Sequence, residues 1–260
     1  MPVDSLALVS PVTAPCRVVA QMTNYVSHVK GAGMDPKTIP LTFFRKASGS
    51  VSGPFDEIIK PPHVKLLDYE VEVGLVIGRD ILVGTELTES NLADFIAGLV
   101  VTNDVSARDV QLTKTQFYEA KSYPTFSPVG PALVLLDAGE LKRFGDLRLR
   151  LRVSGEMRQN MLVDGDMIYK PLQALQALAR FQRLGAGDLV MTGTPVGTAL
   201  GAPPKPIASL LPPAVKWKAF FKRQANNPKY LQHGDIVEPS VATDDGAIDL
   251  GTQRTAVRYA

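Results

Sequence analysis

Hydrophobic and polar residues form short runs along this chain, and their lengths favour strands over helices. β-Branched or alternating runs predict strands over 69–77, 132–136, 147–153 and 189–192. In the run over 147–153, three arginines share one face, which predicts a strand with one side in water. The 21 glycines and 20 prolines are spread throughout and punctuate these runs. The pattern therefore indicates a β-rich fold with frequent turns.

Helical spacing of apolar residues is rarer and predicts only a few short helices. A proline at the first turn, followed by apolar residues three or four apart, predicts a helix from Pro171 to about residue 183. We expect Phe181 on its apolar face and a stop at the glycines that follow. Three further helices are predicted over 25–30, 90–98 and 103–116.

Composition and charge exclude several classes of protein. The 260 residues are 45% hydrophobic and 21% charged, an ordinary globular balance. A net charge of +2 gives no reason to expect a nucleic-acid or membrane partner. Cys16, the single cysteine, cannot form an internal disulfide, so we expect a reducing, cytoplasmic compartment. We also expect no membrane span, since the apolar run over 95–101 is too short, and no signal peptide over 1–15.

Two glutamates, Glu70 and Glu72, interrupt the apolar run over 69–77. Side chains two residues apart on a strand point to the same face, so these two carboxylates should lie side by side. Like charges repel, and they do so more strongly when buried. The pair therefore indicates either a bound cation between buried carboxylates or a strand face in water, and the residues alone leave both open.

A second polar set follows in the predicted helix over 103–116. Asp104, Arg108 and Gln111 are spaced by four and then three residues, so they would share one helical face, which Thr115 extends. A carboxylate, a guanidinium and an amide together could form the wall of a site. The alternative is a capped helix with Arg108 as a surface charge.

Four other residues could contribute chemistry. Lys121 and Thr125 lie in a proline-rich loop that could hold them rigidly, although a lone lysine is usually solvated. Thr194 lies in a tight loop after a predicted strand, and no phosphate-binding motif is present. His28 could act as a base or be structural. With three histidines, zinc is not expected, and the carboxylates suit magnesium, manganese or calcium.

Several sequence blocks together resemble the fumarylacetoacetate hydrolase family. They occur in the family's order from about residue 17 to 197 and the resemblance resumes at about 234. The blocks are NYVSH (24–28), DYEVEVGLVIGRD (68–80), NDVSARDVQ (103–111), KSYPTFSPVGP (121–131), VSGEMRQ (153–159) and GAGDLVMTGTPVG (185–197).

The resemblance implies a fold, a cofactor and roles for particular residues. It implies an α+β, β-rich fold, a mixed β-roll or β-sandwich of the family's C-terminal type with a few short helices, usually in a homodimer. It also implies a divalent ion, Mg²⁺ or Mn²⁺ with Ca²⁺ as an alternative. The implied metal ligands are Glu70, Glu72 and Asp104, and the implied catalytic residues are Lys121 and His28, the latter a water-activating base. The implied substrate-binding residues are Arg108, Gln111, Thr125, Thr194, Lys46 and Tyr25.

The chain departs from the family pattern in two places. Many members have glutamate three residues after the histidine, where it orients the imidazole, and Gly31 stands there in this chain. The segment over 198–233 is much longer than the usual loop and carries aromatic and basic residues, so we expect it to reshape or cover the pocket. We expect one domain over 1–260, with a lid contributed by about the first 60 residues.

The resemblance implies an enzyme that acts on a small anionic 2-oxo or dioxo acid. Hydrolysis of a C–C bond in an acylpyruvate or related 1,3-dicarbonyl acid, in the catabolism of aromatic or other carbon compounds, is the first expectation. Decarboxylation of an oxaloacetate-like acid, or isomerisation or hydration of a 2-oxo-enoate, is the alternative on the same metal platform. A binding or scaffold protein without catalysis is the alternative of another class.

Overall fold

Two large sheets dominate the computed structural model, which describes residues 6–201 and 220–260. Five strands form the first sheet: β1 (Val18–Gln21), β2 (Phe43–Lys46), β6 (Val71–Ile77), β7 (Ile96–Asn103) and β12 (Leu189–Met191). Their spatial order is β2–β1–β12–β6–β7. β1 runs parallel to β12, and the other pairings in this sheet are antiparallel.

Six strands form the second sheet: β4 (Ile58–Lys60), β10 (Leu147–Val153), β11 (Glu156–Leu162), β13 (Ile236–Thr243), β14 (Asp249–Thr252) and β15 (Thr255–Tyr259). Their order is β11–β10–β13–β15–β4, and β14 also pairs with β13. Two further pairs are β3 (Val51–Ser52) with β9 (Ser127–Pro128), and β5 (Leu67–Asp68) with β8 (Ser106–Ala107).

The helices are short. The α-helices are α1 (Val26–Gly31), α2 (Arg108–Gln111), α3 (Ala138–Leu141) and α4 (Pro171–Ala179). The 3₁₀ helices are Pro36–Thr38, Ser48–Ser50, Leu92–Asp94, Glu119–Lys121 and Lys142–Asp146, and residues 220–224 are also helical. In the part of the chain that the structure describes, no helix is long and apolar enough to cross a membrane.

The β-rich fold expected from the sequence is confirmed, as are three of the predicted strands. β6, β10 and β12 fall within the runs over 69–77, 147–153 and 189–192. The arginine face of β10 lies at the surface, where Arg148 and Arg150 pair with Asp244 at 2.8 and 2.7 Å. The predicted helix over 25–30 is confirmed by α1.

The core lies between the two large sheets, where β6 and β7 contact β10 and β13. All seven residues of β6 are buried. On β10 the leucines alternate with arginines, and Leu149 is fully buried. Burial of one such leucine stabilises the fold by roughly 1.5–3 kcal/mol.

Truncation of this core leucine should destabilise the protein strongly. Leu149→Ala removes a fully buried side chain and leaves a cavity, so we expect a loss of about 2–5 kcal/mol in the free energy of unfolding. Phe181→Ala is the matched control, because Phe181 is 64% exposed and its loss should change stability by no more than about 0.5 kcal/mol. Urea denaturation measures both, and equal losses would contradict this assignment of the core.

Two sequence predictions next to β7 are wrong, a helix over 90–98 and a strand over 132–136. Over 90–98 only Leu92–Asp94 is helical, and β7 starts at Ile96, since its β-branched residues pair with β6. The segment over 132–136 forms no strand and makes a single bridge, between Leu99 and Val134. A Cβ at Gly98 would lie 2.3 Å from the Val134 carbonyl oxygen, so glycine permits this crossing.

Two other helix predictions need correction. The helix expected over 103–116 is only α2, because β7 extends to Asn103 and β8 then pairs with β5 before the helix begins. Thr115 lies beyond α2 and is exposed, so it does not extend the polar face. α4 ends at Ala179, which places Phe181 outside the apolar face. Residues 202–219, the larger part of the long segment over 198–233, lie outside the described residues.

Candidate metal centre

Three buried carboxylates meet where β6 and β7 come together. Glu70 immediately precedes β6, Glu72 lies on it, and Asp104 follows the last residue of β7. The antiparallel pairing of the two strands brings them together, and the Asp104 N–H donates to the Glu70 carbonyl at 2.8 Å. Carboxylate oxygens of all three residues lie within 4.8 Å of one another. Since Glu70 and Glu72 are 6% and 1% exposed, the alternative of a strand face in water is wrong.

This donor set fits a hard divalent ion. Gly193 N–H donates to the Glu72 carboxylate at 2.7 Å and is the only hydrogen-bond partner of that carboxylate among the described residues. Burial and the charges of Asp104 and Glu70 raise the pKa of Glu72 well above its usual range. A cation among these oxygens would remove that repulsion, and three carboxylates are ligands that magnesium, manganese and calcium accept.

Two buried lysines contact the carboxylates. Lys121 Nζ donates to Glu70 at 2.7 Å and to Asp104 at 2.6 Å. Lys46 Nζ donates to the other oxygen of Asp104 and, at 2.9 Å, to the Phe126 carbonyl. Burial alone would lower the pKa of Lys121, but Asp104 and Glu70 outweigh it and the pKa is raised. The alternative of a solvated Lys121 is therefore wrong.

Arg108 completes the charged cluster from the first turn of α2. Its Nε donates to Asp68 at 2.8 Å, one terminal nitrogen donates to Glu70, and the other donates to Gln111 at 2.8 Å. Arg108 is buried, so it is not a surface charge. The charges of Arg108 and Lys121 outweigh burial and lower the pKa of Glu70.

The charges of this cluster leave a small negative excess. With every group ionised, four carboxylates, including Asp68, face three cationic side chains, and the net charge is one negative unit. A bound divalent ion would reverse the sign to one positive unit. The completed site would therefore attract a small anion.

His28 lies on α1, close to the charged cluster. Asp166 fixes the start of this helix by accepting from Ser27 N at 2.7 Å and from the Ser27 hydroxyl at 2.5 Å. Burial lowers the pKa of His28, Glu70 opposes this effect, and Arg108 reinforces it. Within residues 6–201 and 220–260 the His28 side chain makes no hydrogen bond to a carboxylate. A neutral imidazole near pH 7 follows.

Position 31 has an apolar neighbour. A Cβ built on Gly31 would lie 3.2 Å from a methyl group of Val196. The backbone N–H of Val196 donates to the Ser27 hydroxyl at 3.1 Å. This bond joins the loop over 193–197 to α1. The structure therefore places an apolar side chain beside the position where many family members have the orienting glutamate.

Hydrogen bonds hold the loop over 193–197 beside Val71, the first residue of β6. The Thr194 hydroxyl donates to Val71 O at 2.8 Å and accepts from Gln159 at 2.9 Å. Gln159 also accepts from Val71 N at 3.0 Å. At Gly197 a Cβ would lie 2.1 Å from the Arg158 carbonyl oxygen, so only glycine fits.

The two remaining sequence candidates lie in different surroundings. Tyr25 is fully buried near the carboxylates, and burial followed by the charge of Glu72 raises its pKa. The Thr125 hydroxyl instead accepts from Ile59 N on β4 at 2.8 Å, in a backbone conformation with φ of 68°. Its substrate-binding role stays a prediction, as do the roles of the other implied site residues.

Sequence reasoning missed two residues that organise this site. Asp68 has the same two-residue spacing as Glu70 and Glu72, so the same strand argument could have found it. Gln159 lies in one of the blocks that carry the resemblance, but nothing local marks it, because its three partners come from distant segments.

Comparison with known proteins places this geometry in a family. The family model described as "Fumarylacetoacetate (FAA) hydrolase C-terminal" matches residues 17–258. Oxaloacetate tautomerase Fahd2a, mitochondrial, of Rattus norvegicus is 34% identical over 201 residues, which are 77% of this chain and 62% of that protein. The match thus spans less than two thirds of that relative.

Solved structures of similar fold cover the whole chain. A probable 2-hydroxyhepta-2,4-diene-1,7-dioate isomerase from Mycobacterium abscessus has a TM-score of 0.74 and 30% identity, over 100% of this chain and 82% of the other. A fumarylacetoacetate hydrolase from psychrophilic Exiguobacterium antarcticum has a TM-score of 0.75 and 30% identity, over 100% and 80%.

Proposed function

Because this chain belongs to the fumarylacetoacetate hydrolase family, we propose that it catalyses metal-dependent proton transfer in a small anionic 2-oxo acid, as in keto–enol tautomerisation. The observation that carries the proposal is a buried carboxylate trio beside a histidine that no carboxylate orients within the described residues. Relatives named oxaloacetate tautomerase and dienedioate isomerase support the same class of reaction.

The metal site defines the substrate class. Glu70, Glu72 and Asp104 would hold the ion, Mg²⁺ or Mn²⁺ by our proposal. When bound, it supplies Lewis-acid stabilisation of negative charge on an oxo oxygen. Arg108 and Lys121 add positive charge in a buried setting, and each such contact is worth about 3 kcal/mol to the transition state. A carboxylate next to an oxo group matches this arrangement.

His28 would move the proton. A neutral imidazole would take a proton from the carbon beside the oxo group, and the imidazolium so formed would return a proton to the oxo oxygen, which completes the enol and restores the neutral imidazole. The substrate neither gains nor loses atoms, and no water is consumed. This step requires His28 within reach of the substrate C–H, whereas hydrolysis also requires a held and aligned water molecule.

Hydrolysis of an acylpyruvate C–C bond, which the sequence ranks first, is the second candidate. The similarity to a fumarylacetoacetate hydrolase and the proximity of Lys121 to the carboxylates favour it. The apolar Val196 beside Gly31 weighs against it, because an imidazole without a carboxylate partner is less well oriented and its protonated form is less stabilised.

A substrate panel tests the proposal. With Mg²⁺ or Mn²⁺ we expect interconversion of enol and keto oxaloacetate, abolished by a chelator and reduced about 100-fold or more in His28→Ala. Since the pKa of His28 is lowered, the rate should fall only below pH 6.5, its ordinary value. Ultraviolet absorbance of the enol follows the reaction, and His63→Ala, an exposed histidine, is the control.

The products distinguish the alternatives. Acylpyruvate cleavage without tautomerisation would replace the proposal with hydrolysis, and pyruvate formation from oxaloacetate would indicate decarboxylation. If the chelator changes neither thermal stability nor any activity, the scaffold alternative is favoured.

The proposal extends to the assembly and the compartment of the protein. We propose a homodimer, in line with the family resemblance, and a reducing, cytoplasmic compartment, in line with the single free cysteine, Cys16.

A further inference from the structure

Asp68 is a fully buried carboxylate two residues before Glu70, the first member of the carboxylate trio. It accepts four hydrogen bonds: from Arg108 Nε at 2.8 Å, Tyr69 N at 2.8 Å, Ala199 N at 2.7 Å and Leu200 N at 3.1 Å. All four partners are donors, so only a group that accepts with both oxygens satisfies them. An uncharged amide would turn an NH₂ group towards a donor.

Asp68 holds one side of the Arg108 guanidinium, and another side of the same group contacts Glu70, a proposed metal ligand. Arg108 divides its nitrogens among Asp68, Glu70 and Gln111. Because the guanidinium is a rigid planar fork, its orientation is set once Nε is held. The Asp68 bond therefore determines where the Arg108 charge lies relative to Glu70.

The same carboxylate holds one end of the long segment over 198–233. Ala199 N donates to Asp68, and Asn227 donates to the Ala199 carbonyl at 2.8 Å. Further along, Leu231 N donates to the Leu67 carbonyl at 2.9 Å. Both described ends of the segment are thus attached to β5, next to Arg108.

We propose that Asp68 is a positioning residue that orients Arg108 for the substrate carboxylate and couples that orientation to the anchored ends of the segment over 198–233. The inference rests on the proposed function in that Arg108 is taken to bind the anionic substrate. It assigns to the described ends of the segment, residues 198–201 and 220–233, an effect on substrate affinity that acts through Asp68.

Charge and orientation predict opposite results when Asp68 is neutralised. Removal of one negative charge makes the site more positive and would strengthen anion binding. Loss of the bond to Nε would release the Arg108 guanidinium from its fixed orientation and would weaken anion binding. We expect orientation to dominate, because a misplaced guanidinium no longer directs its remaining N–H groups at the anion.

The experiment measures binding of oxalate, an unreactive chelating dianion, to the Mn²⁺-loaded protein by calorimetry. Asp68→Asn should weaken oxalate binding about 10- to 100-fold, with a much smaller change in Mn²⁺ affinity. Asp188→Asn is the matched control: Asp188 is also buried and accepts from an arginine and two backbone N–H groups, but it binds Arg17 instead. It should leave oxalate affinity unchanged.

A double-mutant cycle separates positioning from a general structural effect. In an Arg108→Ala background, Asp68→Asn should cause no further loss of oxalate affinity. The same loss in that background, or tighter oxalate binding in the single variant, would overturn the proposal. Oxalate binding is measured without turnover, so a wild-type protein that lacks tautomerase activity but shows the Asp68 effect refutes only the proposed function.

A milder variant covers the case in which Asp68→Asn does not fold. Asn227→Ala removes the donor to the Ala199 carbonyl and should weaken oxalate binding in the same direction, by a smaller factor. The neighbouring Asn226→Ala is its control, since Asn226 is exposed. Equal oxalate affinities in these two variants would refute the coupling to the segment.

Discussion

Glu72→Gln is expected to stabilise the metal-free protein and to abolish its response to divalent ions. Glu72 is buried beside two other carboxylates, and the Gly193 N–H is the one hydrogen-bond donor to the Glu72 carboxylate among the described residues. Glutamine keeps an acceptor for that N–H and removes the repelling charge. Relief of a buried charge of this kind is worth about 1–3 kcal/mol.

The expected gain in stability of the Glu72→Gln variant follows from the direction in which the pKa of Glu72 is shifted. Burial and the charges of Asp104 and Glu70 raise the folded-state pKa of Glu72, so the unfolded chain loses this proton at a lower pH than the folded protein does. Glu72 therefore contributes a loss of stability to the wild-type metal-free protein as pH rises above 4.5, the ordinary value for glutamate. The glutamine variant should not show this loss.

Thermal unfolding with and without Mn²⁺ measures both effects. We expect a higher Tm than wild type in the presence of a chelator, no increase on addition of Mn²⁺, and a loss of Mn²⁺ affinity greater than about 100-fold. Glu57→Gln is the control, because Glu57 is exposed and pairs with Arg258. A glutamine variant that still binds Mn²⁺ like wild type would remove Glu72 from the ligand set.

The sequence predicts those parts of the site that depend on local periodicity. Glu70 and Glu72 are neighbours because alternate residues of a strand share a face, and the structure places both in the trio. β10 alternates as expected, because its leucines face the core and its arginines face solvent. In both cases the alternation along one strand predicts which side chains share a face, without knowledge of the strand or sheet that packs against it.

Local periodicity fails where long-range pairing decides the backbone. Asp104, Arg108 and Gln111 have helical spacing, but only Arg108 and Gln111 share a helix. Asp104 lies in the turn between β7 and β8, and it joins the trio because β6 pairs with β7. The predicted proximity of Asp104 and Arg108 therefore holds for a different physical reason, which a single sequence does not contain.

The cluster contains both buried carboxylates and buried cations, so variants that remove one or the other kind of charge test whether it binds a metal ion. Neutralisation of Glu72 relieves repulsion in the metal-free state, whereas removal of a cation increases it. If the trio binds a divalent ion, the two kinds of variant must also change metal affinity in opposite directions. A cluster that served only stability would show no such relation, because its net charge would matter only to folding.

Lys121→Met is therefore expected to be the counterpart of Glu72→Gln. Lys121 bridges Glu70 and Asp104 at 2.7 and 2.6 Å, and methionine has similar length without the charge. Loss of this buried partner should destabilise the metal-free protein by about 3–5 kcal/mol. Mn²⁺ should bind more tightly, because the competing ammonium is gone, and turnover should fall about 100- to 1000-fold, because positive charge at the developing oxyanion is lost.

Calorimetry with Mn²⁺, thermal unfolding and the tautomerisation assay together test this expectation. Lys114→Met is the matched control: Lys114 pairs with Glu119 at the surface, where both side chains are 48% exposed. It should change neither metal affinity nor turnover. If Lys121→Met loses Mn²⁺ affinity together with activity, Lys121 shapes the carboxylate trio rather than balancing its charge, and the opposition between carboxylate and cation variants fails.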